Sequence, residues 1–276
     1  VKRLIVTADD FGASAAVNEA VEQAHRYGVL TAASLMVGGD AASDAVARAR
    51  RLPGLGVGLH IVLVEGRPIL APEAVPALTD GSGMFRIDMA RTAISIFASP
   101  AARRQLRAEV EAQFAAFAAT GLPLDHVNAH KHFHLHPTIA ATILDVGQRY
   151  GMNSIRAPIE PAAPLRAIDG TRGGPRVETV WAKLLRRRMR RAGLAVPDHV
   201  FGLAWSGAMN ACRMRGLLDQ LPHGLTEIYT HPATAPYPGS APDYDYAGEL
   251  AALTDDLAKS AIERNSIRLG RFADFV

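Results

Sequence analysis

The sequence predicts an α/β barrel, and three observations carry that expectation. Short apolar, β-branched runs alternate with longer amphipathic stretches from one end of the chain to the other, which is the pattern of repeated βα units. Roughly seven or eight such units fit within the chain, and single α/β barrels commonly reach this size. The polar residues that interrupt the apolar runs fall at the C-terminal ends of expected strands, where barrels and open sheets place their active sites.

Taken in order, a strand Leu4 to Ala8 ends on the acidic pair Asp9 and Asp10. Ser14 can cap a helix Ala15 to Tyr27, and Gly28 is expected to end it in a left-handed conformation. A strand Ala33 to Val37, a helix Ala41 to Arg51 and a strand Gly56 to Val62 follow. The stretch Glu65 to Phe85, with Pro68, Pro72, Pro76, Gly81 and Gly83, breaks the rhythm and reads as a long loop over one barrel mouth. The helix Ala101 to Thr120 is closed by Gly121 before Pro123. Next come a strand His126 to His132, a helix Thr138 to Tyr150, a strand Ser154 to Ala157 and a second mouth loop Pro158 to Pro175. The remaining units are helix Val177 to Ala192, strand His199 to Leu203, helix Ala211 to Leu221, strand Glu227 to His231, helix Tyr246 to Arg264 and strand Ile267 to Gly270. With no internal repeat and no low-complexity linker to license a cut, residues 1–276 are expected to form one domain.

Composition narrows the class. With 49% hydrophobic and 21% charged residues, the chain can bury enough surface to offset its conformational entropy, which excludes disorder. The formal charge of +3 is local: Lys183, Arg186, Arg187, Arg188, Arg190 and Arg191 leave 24 basic against 27 acidic residues elsewhere. A single cysteine, Cys212, excludes an internal disulfide framework and a cysteine-built zinc site. The opening VKRLIVTADDFG reads as a strand rather than a leader, and no apolar run approaches a membrane span. The expectation is a soluble, cytoplasmic protein, at most peripheral to the inner membrane.

Chemistry concentrates in four places. Two carboxylates leaving a buried strand repel one another and resist desolvation, a cost that a cation resolves. If Asp10 binds a divalent metal, Asp9 can remain beside it as an ionised base. His60 sits in the otherwise apolar run LGVGLHIVL, and NAHKHFHLHP carries His130, His132, His134 and His136 at a spacing of two. On an extended chain these imidazoles share one side, and alternate residues lie about 6.6–7 Å apart. One ligand, His130, is therefore expected, with His132 and His134 either lining the substrate pocket or supporting the ligands from behind. One carboxylate and two imidazoles leave open positions on the metal, as hydrolysis requires. His231, in TEIYTHPA, is placed by strand order to protonate a leaving group, and Arg156, in NSIRAP, can hold Asp9 ionised and oriented. Each residue taken singly also has a structural reading: a helix cap, a hydrogen-bonded core histidine, a surface chelating tract, a surface arginine. Their convergence on one face favours a single centre.

TADDFG, GLH, the HxHxHxH run and the late THP, in that order, resemble the YdjC-like carbohydrate deacetylases, over Leu4 to about Phe272. The resemblance implies a distorted (β/α) TIM-like barrel of the glycoside hydrolase/deacetylase type. It also implies Asp10, His60 and His130 as metal ligands, Asp9 as catalytic base, His231 as general acid and Arg156 as partner of the base. TAASLMV, RLPGLGVGLHIVLVEGRP and HVNAHKHFHLHP are most similar to the hopanoid biosynthesis-associated branch, HpnK, whereas chitooligosaccharide deacetylases usually carry Asp where this chain has Asn128. The implied reaction removes acetate from an N-acetylglucosamine unit, in that branch of a glycosylated hopanoid such as N-acetylglucosaminyl bacteriohopanetetrol. The family implies Mg²⁺ and a homodimer; two imidazoles equally suit Zn²⁺. The alternatives are a chitooligosaccharide deacetylase, a non-haem iron oxygenase built on the same ligand types, and a non-catalytic glycolipid-binding protein.

In VWAKLLRRRMRRAG, Val180, Trp181, Leu184, Leu185 and Met189 approximate one helical face, with basic side chains over much of the rest. This is either an outer helix of the barrel or, through Lys183 to Arg191, a contact with anionic membrane; nucleic acid is not an expected partner.

Overall fold

The computed structural model describes residues 1–173 and 176–276. Along the chain come β1 (Lys2–Phe11), α1 (Ala15–Tyr27), β2 (Ala32–Leu35), α2 (Ala42–Ala49), β3 (Gly56–Ile61), α3 (Met89–Ala98), α4 (Pro100–Ala119), β4 (Val127–Ala129) and α5 (Pro137–Arg149). They are followed by α6 (Ala162–Asp169), α7 (Arg176–Arg191), β5 (His199–Phe201), α8 (Ala211–Asp219), β6 (Gly224–Thr230), α9 (Tyr246–Thr254), α10 (Asp256–Arg264) and β7 (Arg268–Leu269).

The strands form one sheet in the order β4-β3-β2-β1-β6-β5, with β7 pairing the start of β1, and every ladder between them is parallel. A parallel sheet covered by helices needs strands that are apolar on both faces. β2 and β3 are buried at every position, and β1 is buried from Leu4 through Asp9. Between β4 and β5, among the described residues, the sheet is joined only by isolated bridges, Val127 to Ile155 and Ser154 to Ala195, and by the Val200 amide donating to the Ile159 carbonyl. The expected strand Ser154 to Ala157 is thus reduced to single bridges, and the barrel is distorted on that side.

The helices form where caps and apolar spacing agree. Ser14 Oγ accepts from the Val17 amide, and Val17, Ala20, Val21 and Ala24 bury one stripe of α1. Ser99 caps α4 with Pro100 in its first turn. The expected single helix Tyr246 to Arg264 is two, because Asp255 leaves the helical conformation and caps α10 through the Leu257 amide. α3, capped by Asp88, was not expected, and α6 lies within the expected mouth loop Pro158 to Pro175. The last two residues of that loop, Gly174 and Pro175, lie outside the described residues. Among the described residues no helix is long and apolar enough to cross a membrane.

Gly121 is left-handed as expected, at φ +72°, but Gly28 is not, at φ −127°. Glycine is needed there for proximity: a Cβ at position 28 would lie 2.2 Å from the Leu253 carbonyl oxygen, where the end of α1 meets the end of α9. Gly28→Ala should therefore cost about 1–3 kcal/mol as overpacking does, and Gly28→Asn should be no better. A left-handed cap would tolerate Asn, so thermal unfolding of the pair separates the two explanations.

Candidate metal centre

Adjacent residues of a regular strand point to opposite faces, so Asp9 and Asp10 could not both serve one site. The register of β1 against β2 shifts between Ala8 and Phe11, and Asp10 adopts φ +61°. This bulge, at a residue type that tolerates left-handed backbone, turns both carboxylates to the same region.

A second irregularity brings the histidine to meet them. The chain stays extended only through Ala129 and then forms a 3₁₀ turn over His130–Leu135, with Lys131 at φ +51° and His132 at φ +52°. The expected strand His126 to His132 is therefore only Val127–Ala129, and the four histidines do not share a side. In the turn the side chains fan out. His130 Nδ1 lies 3.2 Å from Asp10 Oδ1, Lys131 pairs with Glu65, and His132 Nε2 lies 2.9 Å from the Tyr229 hydroxyl. His134 Nε2 donates to the Arg156 carbonyl at 2.9 Å. His134 is fully buried in that bond, which fits the expected place behind the ligands, and it props the turn from beneath. Burial and the nearby Arg156 charge push its pKa down to about 3, and the same two influences hold His132 well below the ordinary histidine value.

Asp10, His60 and His130 come together as the sequence predicts. His60 Nε2 lies 3.2 Å from Asp10 Oδ1 and 3.4 Å from His130 Nδ1. Ligands about 2.1 Å from a common ion lie about 3.0 Å apart when octahedral and about 3.4 Å apart when tetrahedral, so this triangle fits a divalent metal. The donor chemistry fits as well. His60 Nδ1 sits 2.6 Å from Asn128 Oδ1, and the Asn128 amide nitrogen donates to Asp9 Oδ1 at 3.0 Å and to Ser34 Oγ at 2.8 Å. That orientation of Asn128 places the proton of His60 on Nδ1 and leaves the Nε2 lone pair facing Asp10. Burial alone would lower the His60 pKa, but Asp10 and Asp9 outweigh it and hold it above the ordinary value, a field that favours positive charge.

Asp9 is buried and does not belong to the triangle. Arg156 NH1 and NH2 grip its two oxygens at 2.6 and 3.0 Å, and Ser34 adds a bond to Oδ1 at 3.0 Å. Arg156, expected at a strand end, is fully buried and also donates to Glu227 Oε1 from Nε at 3.0 Å and NH2 at 2.6 Å. Burial would raise the Asp9 pKa, but Arg156 outweighs it and holds the carboxyl far below the ordinary range. His231 follows Thr230, which pairs with Ala8, and so sits beside Asp9 across the β1–β6 ladder. Its ring lies between Tyr229 and Tyr244, and its amide donates to Glu249.

Sequence reasoning missed Glu227, Glu249, Ser34 and the pair Asp125–His126. His126 Nε2 lies 3.0 Å from Ser34 Oγ, and its Nδ1 lies 3.0 Å from Asp125 Oδ2. A signal was present: Gly56 and Gly58 flank His60 on β3, where a Cβ would come within 2.5 Å of Asp125 and of the His126 ring. Asp10 and His130 also line a 610 Å³ pocket, walled by Met36, Ile69 and Phe85 and by Asp40, Arg67 and Tyr237. Its size falls in the range of about 300–1,000 Å³ typical of small-molecule sites.

Residues 3–264 match the family of YdjC-like proteins. The chain is 30% identical over 275 residues to a carbohydrate deacetylase of Geobacillus stearothermophilus, covering 98% of this chain and 97% of that protein. It is 43% identical over 148 residues to a carbohydrate deacetylase of Brevibacillus brevis, covering 54% of this chain and only 56% of that protein. A solved structure from Enterococcus faecalis V583 shares the fold, with a TM-score of 0.79 at 24% identity over 100% of this chain and 99% of the other.

Two outcomes test this geometry. Arg156→Met strands two buried carboxylates and should destabilise the protein by about 3–5 kcal/mol in urea unfolding. Because the Asp9 pKa is depressed, this contribution should be complete above the ordinary aspartate range and lost only as pH falls well below it. Asn128→Ala should weaken Zn²⁺ binding about 10–100-fold in a competition titration, although Asn128 is no ligand.

Proposed function

The chain belongs to the YdjC-like family, and we propose that it is a metal-dependent carbohydrate deacetylase acting on an N-acetylglucosamine unit. The observation that carries this reading is the Asp10, His60 and His130 triangle beside an independently anchored carboxylate, Asp9. The triangle would hold one divalent cation, Zn²⁺ or Mg²⁺. When bound, such an ion acidifies water and polarises an amide carbonyl.

The chain's own residues supply the proton transfers. Among the described residues, Asp9 Oδ1 accepts from Ser34, Asn128 and Arg156, whereas Oδ2 accepts from Arg156 NH1 alone. Oδ2 is therefore the oxygen left to take the proton of the attacking water. A carboxylate held this firmly ionised is a weak base, which would suffice for water acidified by a bound ion. Arg156 and Glu227 keep that carboxylate in place. His231, across the ladder from Asp9, donates a proton to the departing amine, and Glu249 fixes its backbone. The names borne by the Geobacillus and Brevibacillus relatives support amide hydrolysis on a carbohydrate over iron oxygenation or simple glycolipid binding.

For the acceptor we propose a glycosylated hopanoid, such as N-acetylglucosaminyl bacteriohopanetetrol. The sequence strings around Ala33, His60 and His130 support that branch. So does the apolar part of the pocket wall, where Met36, Ile69, Met84, Phe85 and Ile87 suit a lipid-linked sugar.

Acetate release from that glycolipid and from diacetylchitobiose tests activity and acceptor together. Faster turnover of the glycolipid is expected; the reverse preference selects the chitooligosaccharide reading. Asp9→Asn should lower the rate about 100- to 10,000-fold, and His130→Ala should abolish it with loss of bound metal by elemental analysis. Full activity in both variants would sink the assignment.

A further inference from the structure

The cations from Lys183 to Arg191 on α7 are not equivalent once folded. Arg186 donates to the Asp198 carbonyl at 2.7 Å, and Arg190 donates to the Asp198 carboxylate and the Val196 carbonyl, each at 2.7 Å. Those two arginines fasten the helix to the segment before β5. Lys183, Arg187, Arg188 and Arg191 are exposed, with no ion pair among the described residues. The apolar face expected from the sequence also divides. Ala182, Leu185 and Met189 are buried, whereas Val180, Trp181 and Leu184 are 56%, 45% and 46% exposed. Spacings of three, four and seven put these three on one surface stripe with Arg187, Arg188 and Arg191.

This stripe is linked to the candidate metal centre through the turn His130–Leu135. Trp181, Leu184 and Arg188 line a 180 Å³ groove with Leu135 and Pro137. Leu135 ends the same 3₁₀ turn that begins with His130, so the groove and the triangle are opposite ends of one six-residue turn. Ile94 and Phe97 of α3, each 68% exposed, add apolar surface near that turn, since the Ala93 backbone neighbours the His136 ring.

We propose that the outer face of α7 is a docking surface for an anionic lipid bilayer. Unpaired cations flanking exposed Trp, Leu and Val side chains match both layers of a bilayer surface, the phosphate headgroups and the acyl boundary beneath them. Nucleic acid would use the cations and gain nothing from Val180 and Leu184. The remainder of the chain holds 24 basic against 27 acidic residues, so an anionic surface attracts this face and not the rest. Docking there presents the His130 turn to the membrane. The inference stands apart from the reaction proposed above, since vesicle binding requires neither metal nor substrate.

The test is co-sedimentation of the full chain with phosphatidylcholine vesicles, with and without phosphatidylglycerol, at low and high salt. Binding is expected only with phosphatidylglycerol and should weaken as salt screens the charges. Replacing Lys183, Arg187, Arg188 and Arg191 by Gln should weaken partitioning about fivefold for each charge removed. Trp181→Ser with Leu184→Ser should also weaken it, with an unchanged circular dichroism spectrum at the binding temperature showing that the fold is kept. A charge-matched control, with Arg51, Arg104, Arg264 and Arg268 replaced by Gln, should bind as the parent does. Equal binding to both vesicle types, equal loss in the control, or retention of a single-stranded oligonucleotide in place of vesicles would overturn the proposal.

Discussion

The buried guanidinium of Arg156 is the interaction on which the site depends. It is fully enclosed between Asp9 on β1 and Glu227 on β6, and it lies over the Tyr229 ring at 4.5 Å. A buried ion pair is poor evidence for net stability, because desolvation consumes most of its Coulomb energy. Its worth here is positional. Asp9 and Glu227 come from adjacent strands, Arg156 from the irregular segment after α5, and its own carbonyl accepts the hydrogen bond from His134. One residue thus ties the distorted side of the barrel to the regular side and anchors the turn that carries His130.

The metal triangle is made by departures from regular structure. Without the β1 bulge, Asp10 would face away from Asp9; without the left-handed residues Lys131 and His132, the chain would carry His130 onward as a strand. Non-glycine residues with positive φ are uncommon, and they cost free energy that the surrounding contacts must offset. Here Asp10 is held by two imidazoles and the turn by His134 and the Tyr229 hydroxyl. Strain and ligand geometry are two aspects of the same local design.

This explains what was legible in the sequence. Alternating apolar and amphipathic runs revealed the βα units because periodicity reports burial directly, and α1 begins and ends where Ser14 and Tyr27 suggest. Asp10, His60 and His130 were legible because imidazoles and carboxylates at strand ends are costly without a shared purpose. The HxHxHxH spacing misled, since a period of two implies a strand only where the backbone is extended, and positive φ at Lys131 and His132 is invisible in residue type. Glu227 was hidden for a related reason: in TEIYTHPA it reads as an ordinary polar residue of a strand, and only packing reveals that it faces Arg156. Gly28 carries the same lesson, because a close approach from Leu253 is encoded more than two hundred residues away.

Charge balance links the two halves of the site. Asp9, Asp10 and Glu227 are three carboxylates set against one fixed cation, Arg156, so with all three ionised the assembled core holds two negative charges in excess. Among the described residues, the carboxylates that Arg156 reaches are Asp9 and Glu227, and Asp10 is left to the imidazoles. Low effective dielectric makes such an excess costly unless a cation or a proton joins it. The raised His60 pKa is the protein's response through a proton, and a divalent ion at the same three atoms would answer the excess more completely. Asn128 bridges the alternatives, binding His60 with its oxygen and Asp9 with its nitrogen. An Asp at that position would set a third carboxylate against Asp9 and give His60 a charged acceptor, raising the imidazole's affinity for both proton and metal. The choice of Asn thus keeps Asp9 as the one carboxylate beside the triangle that Arg156 must stabilise.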